Sequence, residues 1–361
     1  MTYFVLFFVF LCTSFIFHFN HNKYFVNFIY IVLVSFLIFF VGFRFESVDY
    51  YAYMDVWNKV SFNYLGFPFY SSGGGTTGNE FLFATLISLF KENGLSFVLF
   101  LFFIAFLSVG IKAYYFKKYS PYIFLSLVVY LSTLFFKDMG QIRNALAASI
   151  FLFGIKPLVE RNIFKFSVVS LVAFGIQSFA FIGFFVYFFY PVVNKRYAPY
   201  ILLIISFFIS LMGGLANKVL FLASYFPESM FVRANSYFNA SEPLYYHALN
   251  ISFFAFSFLF LNYRKLICNK NIYLNGLISY FVFSVMLYFA FFDFPVVAGR
   301  ILELLSYSAL SILLPAMIYT FHGYKRHVLF IISILYCSLL FYSTSLVAEP
   351  YQSYFLHGKI M

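Results

Sequence analysis

A chain of 361 residues that is 63% hydrophobic, holds 61 Phe and 32 Tyr, and carries only 23 basic and 12 acidic side chains cannot fold as a water-soluble globule. Its mean hydropathy of +0.90 reads as a membrane protein, because one span takes about 20 apolar residues and this length holds roughly a dozen. A cytosolic enzyme, a secreted domain and a nucleic-acid binder are excluded, and the net charge of +11 reflects basic loops that fix orientation in a bilayer.

In chain order, apolar segments run over residues 2–19, 24–43, 80–90, 95–116, 122–136, 144–159, 166–190, 199–226, 248–263, 272–292, 300–321 and 328–346. They predict an all-α, polytopic membrane protein of about 11–12 transmembrane helices, with residues 1–361 forming one membrane domain. The first segment lacks a basic leader and a small-residue cleavage site, so it reads as a retained helix. Two segments are anomalous: Glu80–Phe90 is too short to cross, and 166–190 is interrupted by Gly175, Gln177 and Ser178. Both are candidates for re-entrant segments, which occur where irregular backbone is buried in protein or lines a wet cavity.

If neither anomaly crosses in one pass, 14 of the 23 Lys and Arg fall on the cytoplasmic side, among them Lys23, Lys112, Lys117, Lys118, Lys156, Arg161, Arg264 and Arg326. If both cross, only 11 do. The positive-inside rule favours the first arrangement, with both termini outside. It leaves two long external loops, 44–79 and 227–247. The glycine-rich stretch 71–78 lacks the Gly-Lys-Ser/Thr ending of a phosphate-binding loop and reads as a hinge. Cys12, Cys268 and Cys337 have no disulfide or metal spacing, and His247 and the other histidines form no metal motif, so neither metal nor cofactor is expected.

Charges at the hydrocarbon boundary are costly and need partners. Arg143 opens a helix whose next residues, Ala145, Ala147, Ala148 and Ser149, let a neighbour approach closely. Arg300 opens another, with Glu303 one turn on. Taken singly, Arg143 is an interfacial anchor and Arg300 pairs with Glu303 at i,i+3. Taken together with Arg44 and Arg233, they make an external set of planar donors suited to a diphosphate, which arginine binds bidentately while keeping its charge. Asp49 stands beside Tyr50, Tyr51 and Tyr53, and Glu80 heads a short apolar helix. Carboxylates accept from sugar hydroxyls while rings cover sugar C–H faces; the plainer account is an interfacial aromatic belt with solvated acids. Gln177 suits interhelical hydrogen bonding.

The order of Asp49 and Tyr53, Glu80, then Gln141-Ile142-Arg143-Asn144-Ala145-Leu146-Ala147, then Gln177-Ser178, then Gly299-Arg300 resembles the EpsG-like branch of the Wzy-type polysaccharide polymerases over about residues 40–310. The resemblance implies a GT-C-like architecture in the bacterial cytoplasmic membrane with its active face extracytoplasmic. It implies polymerisation of O-antigen, capsule or exopolysaccharide repeat units carried on undecaprenyl diphosphate. The partners are then undecaprenyl-diphosphate-linked glycans, the bilayer and a chain-length regulator protein, with no nucleic acid. Where that family usually has a His followed by a small residue, this chain has Gln177, which cannot titrate.

On this reading Arg143 and Arg300, with Arg233 behind them, neutralise the departing diphosphate. Asp49 or Glu80, with Glu303 behind them, deprotonates the acceptor hydroxyl. Arg44, Tyr53, Gln141, Gln177, Arg233 and Glu303 bind substrate, and transfer is expected to be metal-independent. The alternative is a transporter or flippase of lipid-linked oligosaccharides, although internal repeats and midplane charges usual in transporters are not evident. A membrane acyltransferase would need an intramembrane His base.

Overall fold

The computed structural model describes residues 2–19, 22–62, 68–70, 80–216 and 248–357. Arg233, His247, the hinge 71–78 and the loop 227–247 lie outside the described residues. The protein is an all-α, polytopic membrane protein. In a bilayer interior no water can satisfy backbone N–H and C=O groups, so apolar segments of this length become helices.

Helices α1 (Thr2–Phe19) and α2 (Lys23–Gly42) are followed by the short strand β1 (Arg44–Phe45), α3 (Tyr50–Lys59) and the ribbon β2 (Val60–Phe62) with β3 (Pro68–Tyr70). Next come α4 (Phe81–Glu92), α5 (Phe97–Tyr119), α6 (Ile123–Thr133), α7 (Phe135–Met139), α8 (Ile142–Phe153) and α9 (Ile155–Val159). Then α10 (Ile163–Ile176), a 3-10 turn at Ser178–Ala180, α11 (Phe181–Phe184), α12 (Val186–Val193) and α13 (Ala198–Leu211) follow. The described chain resumes with α14 (Ala248–Asn262), α15 (Arg264–Lys270), α16 (Leu274–Ala290) and α17 (Pro295–Ile301). A π-helical turn at Leu302–Ser306 leads into α18 (Tyr307–Thr320), α19 (Tyr324–Ser345) and β4 (Gln352–Ser353). Asn22, Ser96 and Asn162 cap α2, α5 and α10 by accepting from the N–H groups of Phe25, Leu99 and Lys165, which fixes where each helix starts.

Four helical runs among the described residues are long and apolar enough to cross a membrane alone: α2, α5, Pro295–Thr320 and α19. The pair Ile251–Asn262 and Arg264–Lys270, bent by 67°, makes a fifth. The remaining apolar segments are helices of 10–17 residues. Pro295–Thr320 is nearly all enclosed by the others; Glu303 is buried within it, and Arg300, one turn earlier, is half-buried.

Side-chain contacts fix which loops share a face. Helices α2 and α5 run antiparallel: a Cβ at Gly42 would lie 2.9 Å from the Cα of Phe102, and at the other end Tyr30 donates to the Ala113 carbonyl at 2.7 Å. Lys117 and Lys118 therefore lie toward Lys23. Phe17 stacks on Phe124 at 4.7 Å, and His18 Nε2 meets His327 Nδ1 at 3.0 Å, which brings Arg326 to the same basic face. Tyr119 touches Tyr273 at 6.3 Å, adding the turns around Glu160, Asn194 and Lys270. At the opposite face β1 pairs antiparallel with β4, and Ser47 donates to the Met139 carbonyl at 2.9 Å.

Neither anomalous segment is one straight helix long and apolar enough to cross a membrane alone. Phe83 and Phe90, two turns apart on α4, both touch the ring of Phe100, at 5.6 and 5.5 Å, so α4 lies across the first turns of α5. Helix α10 rises from the basic face to Gln177, and the chain then returns: Arg161 donates to the Tyr187 carbonyl at 2.5 Å, and Tyr187 donates to the Arg161 carbonyl at 2.6 Å. One expectation is corrected. Lys112 is not a loop lysine; it lies fully buried in α5, its Nζ 2.7 and 2.9 Å from the two carboxylate oxygens of Asp138. The long lysine stem carries its charge away from the basic face to reach that acid.

Candidate functional site

Glu80 heads α4 and is buried. One carboxylate oxygen accepts from Nη1 of Arg143, at the start of α8. The other accepts from the Ser178 N–H at 3.2 Å and the Ser178 hydroxyl at 3.3 Å. The break after Gln177 leaves N–H groups without helical partners inside the bundle, and a carboxylate satisfies one of them. A single acid thus ties together α4, α8 and the tip of the re-entrant hairpin. Close approach is allowed by Gly175, where a Cβ would lie 2.7 Å from Leu82. The guanidinium of Arg143 sits over the rings of Tyr53, at 5.4 Å, and Phe83, at 5.8 Å, which hold a flat cation in place.

A second acid stands on the next residues of the same elements. Glu303 is buried in the π-helical turn. It accepts from Lys137 Nζ at 2.7 Å and from Asn144 Nδ2 at 2.9 Å. Asn144 also lies 3.4 Å from the Arg300 carbonyl, and the Arg300 guanidinium sits 5.0 Å over the ring of Phe179. Arg143 and Arg300 are therefore joined twice through adjacent residues, by Arg143-Asn144 on α8 and by Ser178-Phe179 at the break. The partner of Glu303 is Lys137 on α7, in place of the local i,i+3 pair expected with Arg300. Beneath α7, Asp138 accepts from Lys112, Ser108 and Tyr130, the last at 2.7 Å, and anchors the residue next to Lys137.

Among the described residues, three cations, Lys137, Arg143 and Arg300, stand around two carboxylates, Glu80 and Glu303. Arg143 Nε, Gln141 Oε1 and Asn144 Oδ1 are buried without a hydrogen-bond partner among the described residues. Buried polar atoms in this state are uncommon, and one donor with two acceptors suits a ligand that carries both phosphate oxygens and hydroxyls. Among the described residues no three His, Cys, Asp or Glu stand close enough to share a metal ion.

The structure thus gathers Tyr53, Glu80, Gln141, Arg143, Gln177, Arg300 and Glu303 around two adjoining stretches of chain. Asp49 stands apart. It heads α3 in the left-handed region at φ 63°, is exposed, and among the described residues has no hydrogen bond to this group. Arg44 also lies elsewhere: it is fully buried, donating at 2.6 Å to the Val41 carbonyl at the end of α2 and at 3.1 Å to Ser47. Lys137, Asn144 and Phe179 were not singled out from the sequence. Asn144 and Phe179 each adjoin a residue that was, and the Lys137-Asp138 dipeptide between two apolar runs is a signal that hydropathy reads as a short connection.

The sequence model of the EpsG family matches residues 27–356 of this chain. The chain is a member of the EpsG family. That match takes in every element of the cluster, from Tyr53 to Glu303. The amylovoran biosynthesis protein AmsC of Erwinia amylovora is 28% identical over 293 residues, covering 78% of this EpsG-family chain and 76% of AmsC. No solved structure matches it.

Proposed function

We propose that this EpsG-family protein is a polysaccharide polymerase that transfers a growing glycan from its lipid diphosphate, of the undecaprenyl type, to a hydroxyl of an incoming lipid-linked unit. The reaction would take place at the outer face of the cytoplasmic membrane. In the step, the bond between the anomeric carbon and the diphosphate oxygen breaks, a bond to the acceptor oxygen forms, and the acceptor proton passes to a base. The observation that carries the reading is the double link between Arg143 and Arg300, each beside an acid, at the tip of a hairpin that enters the bundle and turns back. The two guanidinium groups stabilise charge developing on the leaving diphosphate. Glu80 accepts three hydrogen bonds, one from Arg143 and two from Ser178, and is a positioning residue. Each oxygen of Glu303 accepts one, from Lys137 or Asn144, which leaves a lone pair beside Arg300 to take the proton. AmsC is named for amylovoran biosynthesis, which supports a role in polysaccharide biosynthesis.

The test is Arg143→Lys and Arg300→Lys in a deletion strain, reading the length of surface glycan. Lysine keeps the charge and loses the planar fork, so products limited to one or a few units are expected from both. Normal chain length from both would remove the arginines from the mechanism. Absence of any surface product in the deletion strain itself would favour a flippase.

A further inference from the structure

On the basic face, the ends of several helices leave a partly enclosed cavity of about 600 Å³. His18 reaches it from the end of α1, Lys23 from the start of α2, Tyr122 from just ahead of α6, and Arg326 and His327 from the first turn of α19. A smaller hollow of about 230 Å³ adjoins it, sharing Pro121 and Tyr319 and adding Lys118 and Lys270. Among the described residues no carboxylate lines either hollow, and none of Lys23, Lys118, Lys270 and Arg326 forms an ion pair. Cations that only orient a chain in a bilayer extend into water, whereas here two of them converge on one ring. Lys270 Nζ lies 4.8 Å and the Arg326 guanidinium 5.0 Å from the centre of Tyr319. Arg326 Nε donates to the Phe321 carbonyl at 2.8 Å, and a carbonyl fixes the fork without neutralising its charge. His18 is buried against Phe330, stacked at 4.0 Å, and its Nε2 shares a hydrogen bond of 3.0 Å with His327 Nδ1.

We propose that the adjoining hollows bind a phosphate-bearing anion, with Lys23, Lys118, Lys270 and Arg326 supplying the charge. This does not rest on the polymerase reading, since α10 rises away from this face before it reaches the hairpin tip beside Arg143. Like charges gathered in a hollow with no acid repel one another, and an anion seated among them relieves that repulsion. A phosphate group brings one or two negative charges and several acceptor oxygens, enough to engage a guanidinium and more than one ammonium at once. The larger cavity has room for more than a phosphate alone, so the group is carried by a larger body. That body is a soluble organic phosphate or the head group of an anionic lipid, because the positive-inside rule puts this face toward the cytoplasm and the inner leaflet.

The experiment melts the full protein in neutral detergent against rising glycerol 3-phosphate and, separately, rising phosphatidylglycerol, with ionic strength held constant by sodium chloride. A ligand that binds only the folded state raises the melting temperature in a saturable way. Such a rise with glycerol 3-phosphate identifies a soluble ligand; a rise with phosphatidylglycerol alone identifies a lipid head group. Lys23→Gln and Lys270→Gln are each expected to raise the half-saturating concentration about tenfold, as the loss of one charge-assisted hydrogen bond does. Lys325→Gln removes an exposed charge next to Arg326 but outside both hollows, and should leave it unchanged. The melt without ligand shows that each variant folds. No saturable rise with either probe overturns the site, as does a rise that Lys325→Gln weakens as much as the other two or that none of the three weakens.

Discussion

Replacing Glu80 with Gln removes one charge and leaves the side chain's shape. Breaking one side of a buried ion pair costs ~3–5 kcal/mol, because the other charge stays behind unpaired. Here the Glu80 side chain is 4% exposed and that of Arg143 is 20% exposed, so water reaching Arg143 reduces the penalty to roughly 2–3 kcal/mol. A neutral amide still offers one carbonyl oxygen, and Ser178 keeps an acceptor. Arg143 loses the anion that aims it. If the loss falls on the transition state, turnover drops roughly 30- to 150-fold at about 1.4 kcal/mol per decade. If it falls on folding, the melting temperature drops instead. Glycan length in a complemented deletion strain and thermal unfolding of the purified protein in detergent separate the two. Polymer of normal length together with an unchanged melting temperature would refute the view that Glu80 organises α4, α8 and the hairpin tip.

Asp138→Asn is expected to destabilise the fold by ~3–5 kcal/mol, since Lys112 is then a lone ammonium in the core; the double variant Lys112→Met/Asp138→Asn should recover much of that loss, and thermal melts check it. Gly42→Ala should cost ~1–3 kcal/mol by forcing α2 off the Phe102 backbone, read as a lowered melting temperature with the Lys117 face unaltered. Lys117→Cys should be labelled by membrane-impermeant thiol reagents only after the cells are opened, whereas Tyr51→Cys, more than half exposed near α3, should be labelled on intact cells. The reverse pattern would invert the proposed orientation.

Much of the centre was readable because charge inside an apolar segment is rare and demands a partner. Glu80, Arg143 and Arg300 stand out for that reason, and the broken apolar pattern at Gln177-Ser178 marks the hairpin tip. Hydropathy fails where the partner is distant in sequence. Lys137 and Glu303 meet only because α7 and the enclosed helix pack side by side, and no local period announces it. Lys112 misleads for a related reason: it adjoins Lys117 and Lys118 in sequence, yet its stem reaches inward. Arg44 shows a third limit. A guanidinium beside a helix end is first claimed by that helix's own unpaired carbonyls, which here absorb a donor that composition alone would offer to a phosphate.

The widened turn at Leu302–Ser306 makes the centre sensitive to length in an unusual way. It holds one residue more than a regular helical turn, between Arg300 and the segment that continues into α18. Deleting a single amino acid there would relax the coil to its ordinary pitch with little change of phase on either side, because the wide turn had absorbed the extra residue. Arg300 would keep Phe179 while the acid within the turn shifted, so the bulge sets where Glu303 stands without setting where Arg300 points.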